Sequence, residues 1–374
     1  MQNDLKWLLN FNADCVKIME HKVLKKEKRK MTVYLDGSKK FYKANLHCHT
    51  TLSDGSATPE QIKEEYKSRG YSVVAFTDHE HIVDNSYLTD ESFLAITSAE
   101  LSVPKIGPWR NLHDKQYAPT IHLCIYSFDP HNVTTPYSSR ERDNFGPEEV
   151  RDASTYDGQR EKRIYSAEGI SDLARYVHEQ GFLISLNHPS WSLISAKDYL
   201  GYEGLDFIEI YNTDCVKMGH PKDEKVFDDM LKSGMKIFCT ATDDNHNRRG
   251  FTDPKSDSFG GWVMINAEKL EYSEIMNALK RGDFYASEGP EIYSFTREGD
   301  TVTIKTSPVK KIFKQSDGRM ASSVLAAEGE YLTEASFKVD ENINLIRIRI
   351  EDEHGCCAYT QPYDAWNEEN EENS

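Results

Sequence analysis

A series of short apolar runs, spaced by helix-like segments, limits what this chain can fold into more than any other feature. The runs lie at 41–46, 72–76, 93–97, 120–126, 182–186, 205–211 and 235–241. They are hydrophobic through most of their length rather than alternating, which reads as strands buried on both faces. Between them stand helix signals. Thr58 is a candidate N-cap, Pro59 sits at the first helical position, Gln61 completes a capping box and Gly70 fits the far end. Further helices are expected at 168–180, closed by Gly181, near 222–233 and near 273–281, with a strand at 261–266. Strand-then-helix order repeated in this way indicates a parallel α/β sheet or barrel. No Gly-x-Gly-x-x-Gly and no P-loop occurs, so nucleotide folds lose ground.

The flanks read differently. Residues 1–30 form a leader ending in a basic run at 22–30, read as a solvated charged segment. Residues 31–35 and 41–46 flank an Asp36-Gly37-Ser38 turn and read as a hairpin. The main unit spans 31–290, with a polar insertion near 129–165 placed over the site. From 291 to 363 the period becomes two. Ile346, Ile348 and Ile350 share one face and Arg347 and Arg349 the other, which indicates a small antiparallel β module. An acidic tail, 364–374, is expected to be disordered.

The 374-residue chain carries a net charge of -17, which argues against general nucleic-acid binding. No apolar run approaches the roughly 18 residues of a membrane span. The seven cysteines are scattered without a Cys-x-x-Cys, so a reducing cytoplasm is the expected setting.

The chemistry gathers at the strand ends. His47 and His49 are two apart, so an extended backbone aims both imidazoles to one side, and Asp54 follows on an Asp-Gly turn. His79, Glu100, His122, His188, Asp244 and His246 lie at or near the ends of later runs. In barrel folds the C-terminal ends of the strands carry the site. Six imidazoles and three carboxylates exceed one tetrahedral metal and fit two or three clustered divalent ions, zinc, manganese or iron. Such a site makes hydroxide from bound water near neutral pH, and the chemistry that follows is hydrolysis.

These segments resemble the motifs of the PHP (polymerase and histidinol phosphatase) family. His47-x-His49 with Ser53-Asp54-Gly55 resembles its first motif, and Thr77-Asp78-His79 its second. Glu100 with His122 resembles the third, Asp244-Asn245-His246 the fourth, and Asn187-His188-Pro189 the family's additional His-Pro ligand. The resemblance implies a distorted seven-stranded (β/α) barrel, up to three metal ions and hydrolysis of phosphate esters through a metal-bridging hydroxide rather than a side-chain nucleophile. The stretches 282–290 and 355–362 are similar to the carbaryl-hydrolase-like branch, where a β module follows the barrel and the bond broken is a carbamate or ester. A non-catalytic, metal-stabilised module is the remaining alternative.

The expected partner is a small anionic molecule, with Arg248 and Arg249 able to fork onto a phosphate. Lys217 and His220 are weaker candidates of the same kind. Asp78 is expected to orient a ligand histidine, Glu209 and Asp243 to stand behind ligands or simply to end strands, and His81 and His113 to lie outside the ligand set. Nothing in the chain speaks to its oligomeric state.

Overall fold

The computed structural model describes residues 31–105, 118–319 and 321–366. The expected leader, His113 and most of the acidic tail lie outside these residues. The strands are β1 (Met31–Leu35), β2 (Lys40–Asn45), β3 (Tyr71–Phe76), β4 (Leu94–Pro104) and β5 (Thr120–Ser127). Within the 129–165 segment come the two-residue β6 (Thr134–Thr135) and β7 (Thr155–Tyr156). Next are β8 (Phe182–Leu186), β9 (Phe207–Asn212), β10 (Phe238–Thr242), β11 (Trp262–Ala267) and β12 (Phe284–Ser287). The C-terminal part holds β13 (Ile292–Glu298), β14 (Thr301–Val309), β15 (Lys311–Ser316), β16 (Ser322–Leu325), β17 (Leu332–Lys338), β18 (Leu345–Glu351), β19 (Cys357–Thr360) and β20 (Tyr363–Asp364).

Seven strands, β10-β9-β8-β5-β4-β3-β2, neighbour one another in that order, and β11 and β12 continue the sheet beyond β2. Cys48, just past β2, forms a parallel bridge with Asn245, just past β10. That contact ties the two ends of the seven-strand run together at the end where the site lies. No longer ladder joins β2 to β10 among the described residues. The architecture is therefore a curled mixed α/β sheet, joined at one rim.

Apolar clusters line the two faces. The helix Ala167–Glu179 shows how the covering layer is encoded. Its Ile170, Leu173, Ala174 and Val177 fall at i, i+3, i+4 and i+7, and all are fully buried. Burying each large aliphatic chain stabilises the fold by on the order of 2 kcal/mol. The capping box at Thr58 and Gln61 forms as read, starting the helix Pro59–Ser68.

Two sequence expectations are corrected. First, the sheet is not wholly parallel, because β5 runs antiparallel to both β4 and β8. Strands β4 and β5 follow one another with no helix described between them, and an antiparallel pair needs no crossover. Second, β1 and β2 do not form a hairpin. The Asp36–Lys39 turn closes, with Lys39 N–H donating to Asp36 O at 3.2 Å. Yet β1 pairs with β13, while β2 pairs with β3 and β11. Tyr34 and Leu35 bury with Ile292 and Phe295 in the core of the C-terminal module, which draws β1 away. Asn266 on β11 meanwhile accepts from Asp36 N–H and donates to Asp36 O and Lys40 O, keeping β2 at its side.

The module packs the sheet β1-β13-β14-β17 against the continuation of the large sheet through β19, β18, β15 and β16. Ile346, Ile348 and Ile350 face its core. The opposite face of β18 meets the helix Glu224–Lys232, where Arg347 pairs with Asp228 and Arg349 with Glu224. The stretches 282–290 and 355–362 contain β12 and β19, which pair antiparallel. Among the described residues no helix is long and apolar enough to cross a membrane.

Candidate metal centre

Past β2 the chain stays extended, so His47 and His49 turn inward while Cys48 points away into an apolar cluster with Ala57 and Ile62. The chain then folds back sharply. A Cβ on Gly55 would lie 2.5 Å from His49 O, so only glycine permits the turn that returns Asp54 to His49. Asp78 anchors this loop. It accepts from Thr50 N–H at 2.8 Å, Thr50 Oγ1 at 2.9 Å and Ser53 Oγ at 2.6 Å. Asp78 therefore fixes the loop that carries Asp54 and, among the described residues, has no hydrogen bond to a histidine, contrary to its expected role. Asp243 acts likewise, accepting from Tyr66, Thr213 and the backbone N–H groups of Phe259 and Gly260.

Antiparallel β5 explains the placement of His122. It lies near the start of its strand, not the end, and reversal of β5 brings that start beside Glu100 in β4. His122 Nδ1 stands 3.1 Å from Glu100 Oε1. Glu100 is the hub. His188 Nε2 lies 3.4 Å and His47 Nε2 3.3 Å from its Oε1, while His49 Nε2 lies 3.3 Å and His79 Nδ1 3.1 Å from its Oε2. Asp244 Oδ1 stands 3.2 Å from His47 Nε2 and 3.0 Å from His49 Nε2. Asp54 Oδ1 faces His246 Nε2 at 3.4 Å, His49 Nδ1 at 3.7 Å and His79 Nε2 at 3.8 Å. All nine residues singled out in the sequence thus gather in one place. They form overlapping groups, His47-His49-Glu100-Asp244, His49-Asp54-His79-His246 and His79-Glu100-His122, whose ligand atoms lie within 4.8 Å of one another.

Hydrogen bonds behind the cluster set the ring tautomers. His47 Nδ1–H donates to Glu209 Oε1 at 2.6 Å, and His246 Nδ1–H to Asp244 O at 3.0 Å. His188 Nδ1 meets Ser192 Oγ at 3.2 Å. Each of these rings therefore turns Nε2 toward the cluster. Glu209 also accepts from Thr242 Oγ1, Asn212 Nδ2 and His188 N–H, which resolves its role as the carboxylate that orients His47. It can also complete a group with His47 and His188. His188 and Asp244 adopt positive φ, 27° and 55°, a strained conformation of the kind concentrated at functional sites.

The cluster fits a cation. His47 Nε2 and His49 Nε2 are 3.1 Å apart and buried, and two ring nitrogens cannot satisfy one another unless a proton or a metal lies between them. His49 Nδ1, His79 Nδ1 and Asp54 Oδ1 are buried without a hydrogen-bond partner, and such atoms are costly to leave unfilled. Burial opposes charge on His47 and His49, but Asp244 and Glu100 outweigh it and raise both well above the ordinary imidazole range. Burial likewise pushes Glu100 and Asp244 up, yet the surrounding imidazoles hold both well below the carboxylate range. Burial dominates at His79 and lowers it to about 3. Because Glu209 fixes the orientation of His47, Glu209→Gln is expected to weaken metal binding about 10- to 100-fold, as loss of such a partner typically does. Metal titration of the variant against wild type measures this.

The cluster floors a cleft of about 800 Å³. Arg248 and Arg249 line it, with Arg248 Nη2 3.5 Å from Asp54 Oδ2. Lys217 instead donates to Ser256 O, and neither Lys217 nor His220 lines the cleft. His81 is tied to Asp143 and Leu52 O and stands apart from the ligand groups. Sequence reading missed Phe145, Trp191, Asp214, Met218, Lys255 and Asp257 in the walls. No spacing marks them, since they arrive from four separate segments, after β5, β8, β9 and β10.

No family model matches this chain, and no curated protein does. Among solved structures it is similar to a two-domain protein from Bacteroides vulgatus containing a predicted PHP-like metal-dependent phosphoesterase. That match has 12% identity and a TM-score of 0.41, covering 88% of this chain and 96% of the other. A candidate metal-dependent phosphoesterase from Bifidobacterium adolescentis matches at 14% identity and a TM-score of 0.33, over 63% of this chain and 96% of the other. An amidohydrolase from Chromobacterium violaceum, with bound sulfate, matches at 16% identity and a TM-score of 0.30, over 54% and 87%. These likenesses are distant, and the chemistry that follows rests on the residues of this chain.

Proposed function

We propose that this protein is a metal-dependent phosphoesterase acting on a small anionic substrate, with its seven-strand run serving as the distorted barrel of a PHP-type hydrolase. The observation that carries the reading is the set of overlapping ligand groups sharing Glu100, His49 and His79 at the floor of an open cleft. Two or three ions of zinc, manganese or iron would be held by His47, His49, Asp54, His79, Glu100, His122, His188, Asp244 and His246. When bound, such ions supply Lewis acidity that activates water and steadies charge on an ester oxygen.

The chain's own groups do the rest. Glu209 keeps the proton on His47 Nδ1, so Nε2 stays a free donor of its lone pair. Asp78 and Gly55 hold the Asp54 loop in place. Arg248, two-thirds exposed at the rim, is free to swing from Asp54 onto a substrate anion, and Arg249 lies beside it. Their positive charge draws anions into a protein that is otherwise strongly acidic.

The test is turnover by metal-loaded protein on an aryl phosphate and on the matching aryl carbamate. Phosphate release that chelation stops, and that Arg248→Ala slows mainly through KM, is the expected result. Cleavage of the carbamate alone would shift the assignment to the ester and carbamate class. Absence of turnover on a broad phosphoester panel would overturn it.

A further inference from the structure

The cleft has two unlike ends. Arg248, beside Asp54, and Arg249 next to it in the chain supply positive charge on the side of Asp54 and His246, where Asp257 accepts from His246 N–H. Around His79, His122 and His188 the walls are apolar. The Phe145 ring lies 4.3 Å from that of His79, and Trp191 lies 5.1 Å from His122 and 4.9 Å from His188. Met218, 54% exposed, also lines the cleft.

These rings are held in place by dedicated contacts. The segment 129–165 is clasped to the Asp54 loop. A Cβ on Gly146 would lie 2.0 Å from Leu52 O, and His81 bridges Leu52 O and Asp143. Asp143 in turn accepts from Tyr156 Oη and from the N–H of Phe145 itself. Trp191 rides a turn that Ser192 ties to His188 O below and Thr120 N–H beside it. A tryptophan that only sealed the histidines from water would be buried. Trp191 keeps 37% of its surface open, and an exposed, rigidly held indole is a stacking platform.

We propose that the substrate's leaving group carries a flat apolar ring, seated on Trp191 with Phe145 as the second wall, while its anionic centre turns to Arg248 and Arg249. This rests on the phosphoesterase reading and narrows it from any small phosphate ester to a ring-bearing one. Hydrolysis then transfers the phosphoryl group to water, and the ring leaves as its alcohol or phenol with the proton from that water.

Non-hydrolysable anions separate the two claims. Phenylphosphonate and methylphosphonate are titrated calorimetrically into the metal-loaded full chain. Phenylphosphonate is expected to bind about tenfold more tightly, the scale of one aromatic stacking contact. Trp191→Ala should reduce that ratio to near one, Trp191→Phe should keep most of it, and Phe145→Ala should lower it part-way. Metal content of each variant shows that its centre is intact. Equal binding of the two phosphonates to wild type, or equal loss of both in Trp191→Ala, overturns the ring site and leaves the phosphoesterase reading standing. Failure of both to bind overturns the anion site and the ring site together.

Discussion

Glu100→Gln should lower metal-dependent turnover roughly a thousandfold or more, because the substitution removes the one carboxylate charge that two ligand groups share. Glu100 lies within 3.4 Å of His47, His49, His79, His122 and His188. A variant at an outer position such as Asp54 would disturb one group, whereas this one disturbs two at once. The amide keeps the shape of the side chain and its acceptor for Asn187 Nδ2, so the fold should survive. A stability cost of about 3–5 kcal/mol is expected in the metal-free protein, since one partner of a buried charged set is lost. Metal analysis, denaturant unfolding and turnover on one preparation measure all three. Near-normal activity with a full metal complement would refute the assignment of Glu100 as the hub.

The second large effect concerns metal removal and pH. In the metal-free protein, His47 and His49 are held protonated above their ordinary range by Asp244 and Glu100. A group whose folded pKa is raised stabilises the fold fully below its unfolded value, about 6.5 for histidine. That contribution is lost as pH rises through the higher folded value. The depressed acids behave oppositely. Their contribution is present above about pH 4 and is lost only in strong acid. Chelated protein should therefore lose thermal stability progressively on going from pH 6 to pH 9, as four buried or half-buried carboxylates at Asp54, Glu100, Glu209 and Asp244 lose their counter-charges. Metal should restore it, and restore more at pH 9 than at pH 6, because ligation competes with protons for the same nitrogens. A Tm of chelated protein that is flat or rises over this range would contradict the account.

These expectations draw on residues that were visible before the fold, and others that were not. The nine candidate ligands could be picked out because each required residue type is rare inside an apolar run, and because the period of a strand states which side chains share a face. The helix at Thr58 was equally legible, since a capping box closes within four residues. The rest depended on which strand lies beside which. The Asp36-Gly37-Ser38 turn formed, yet it did not make a hairpin, because Tyr34 and Leu35 found a core more than two hundred residues away in sequence. Asp78 and Asp243 looked like groups behind ligands and proved to be anchors of loops, a difference decided by the partners brought to them.

His122 shows the division most clearly. Its identity as a metal-capable side chain in a buried strand belongs to local chemistry, which residue type and spacing encode directly. Its arrival at Glu100 depends on β5 running backwards through the sheet, and strand direction is set by pairings and burial over the whole assembly rather than by the strand's own residues. The same holds for the ring-lined walls. Phe145 and Trp191 carry no motif, and their place beside His79, His122 and His188 comes from loops packed by Gly146, Asp143 and Ser192. Which atoms could hold the metals follows from short-range pattern. What shape the cleft offers a substrate follows from long-range packing, because the side chains that line it meet only once the sheet has curled and its loops have closed on one another.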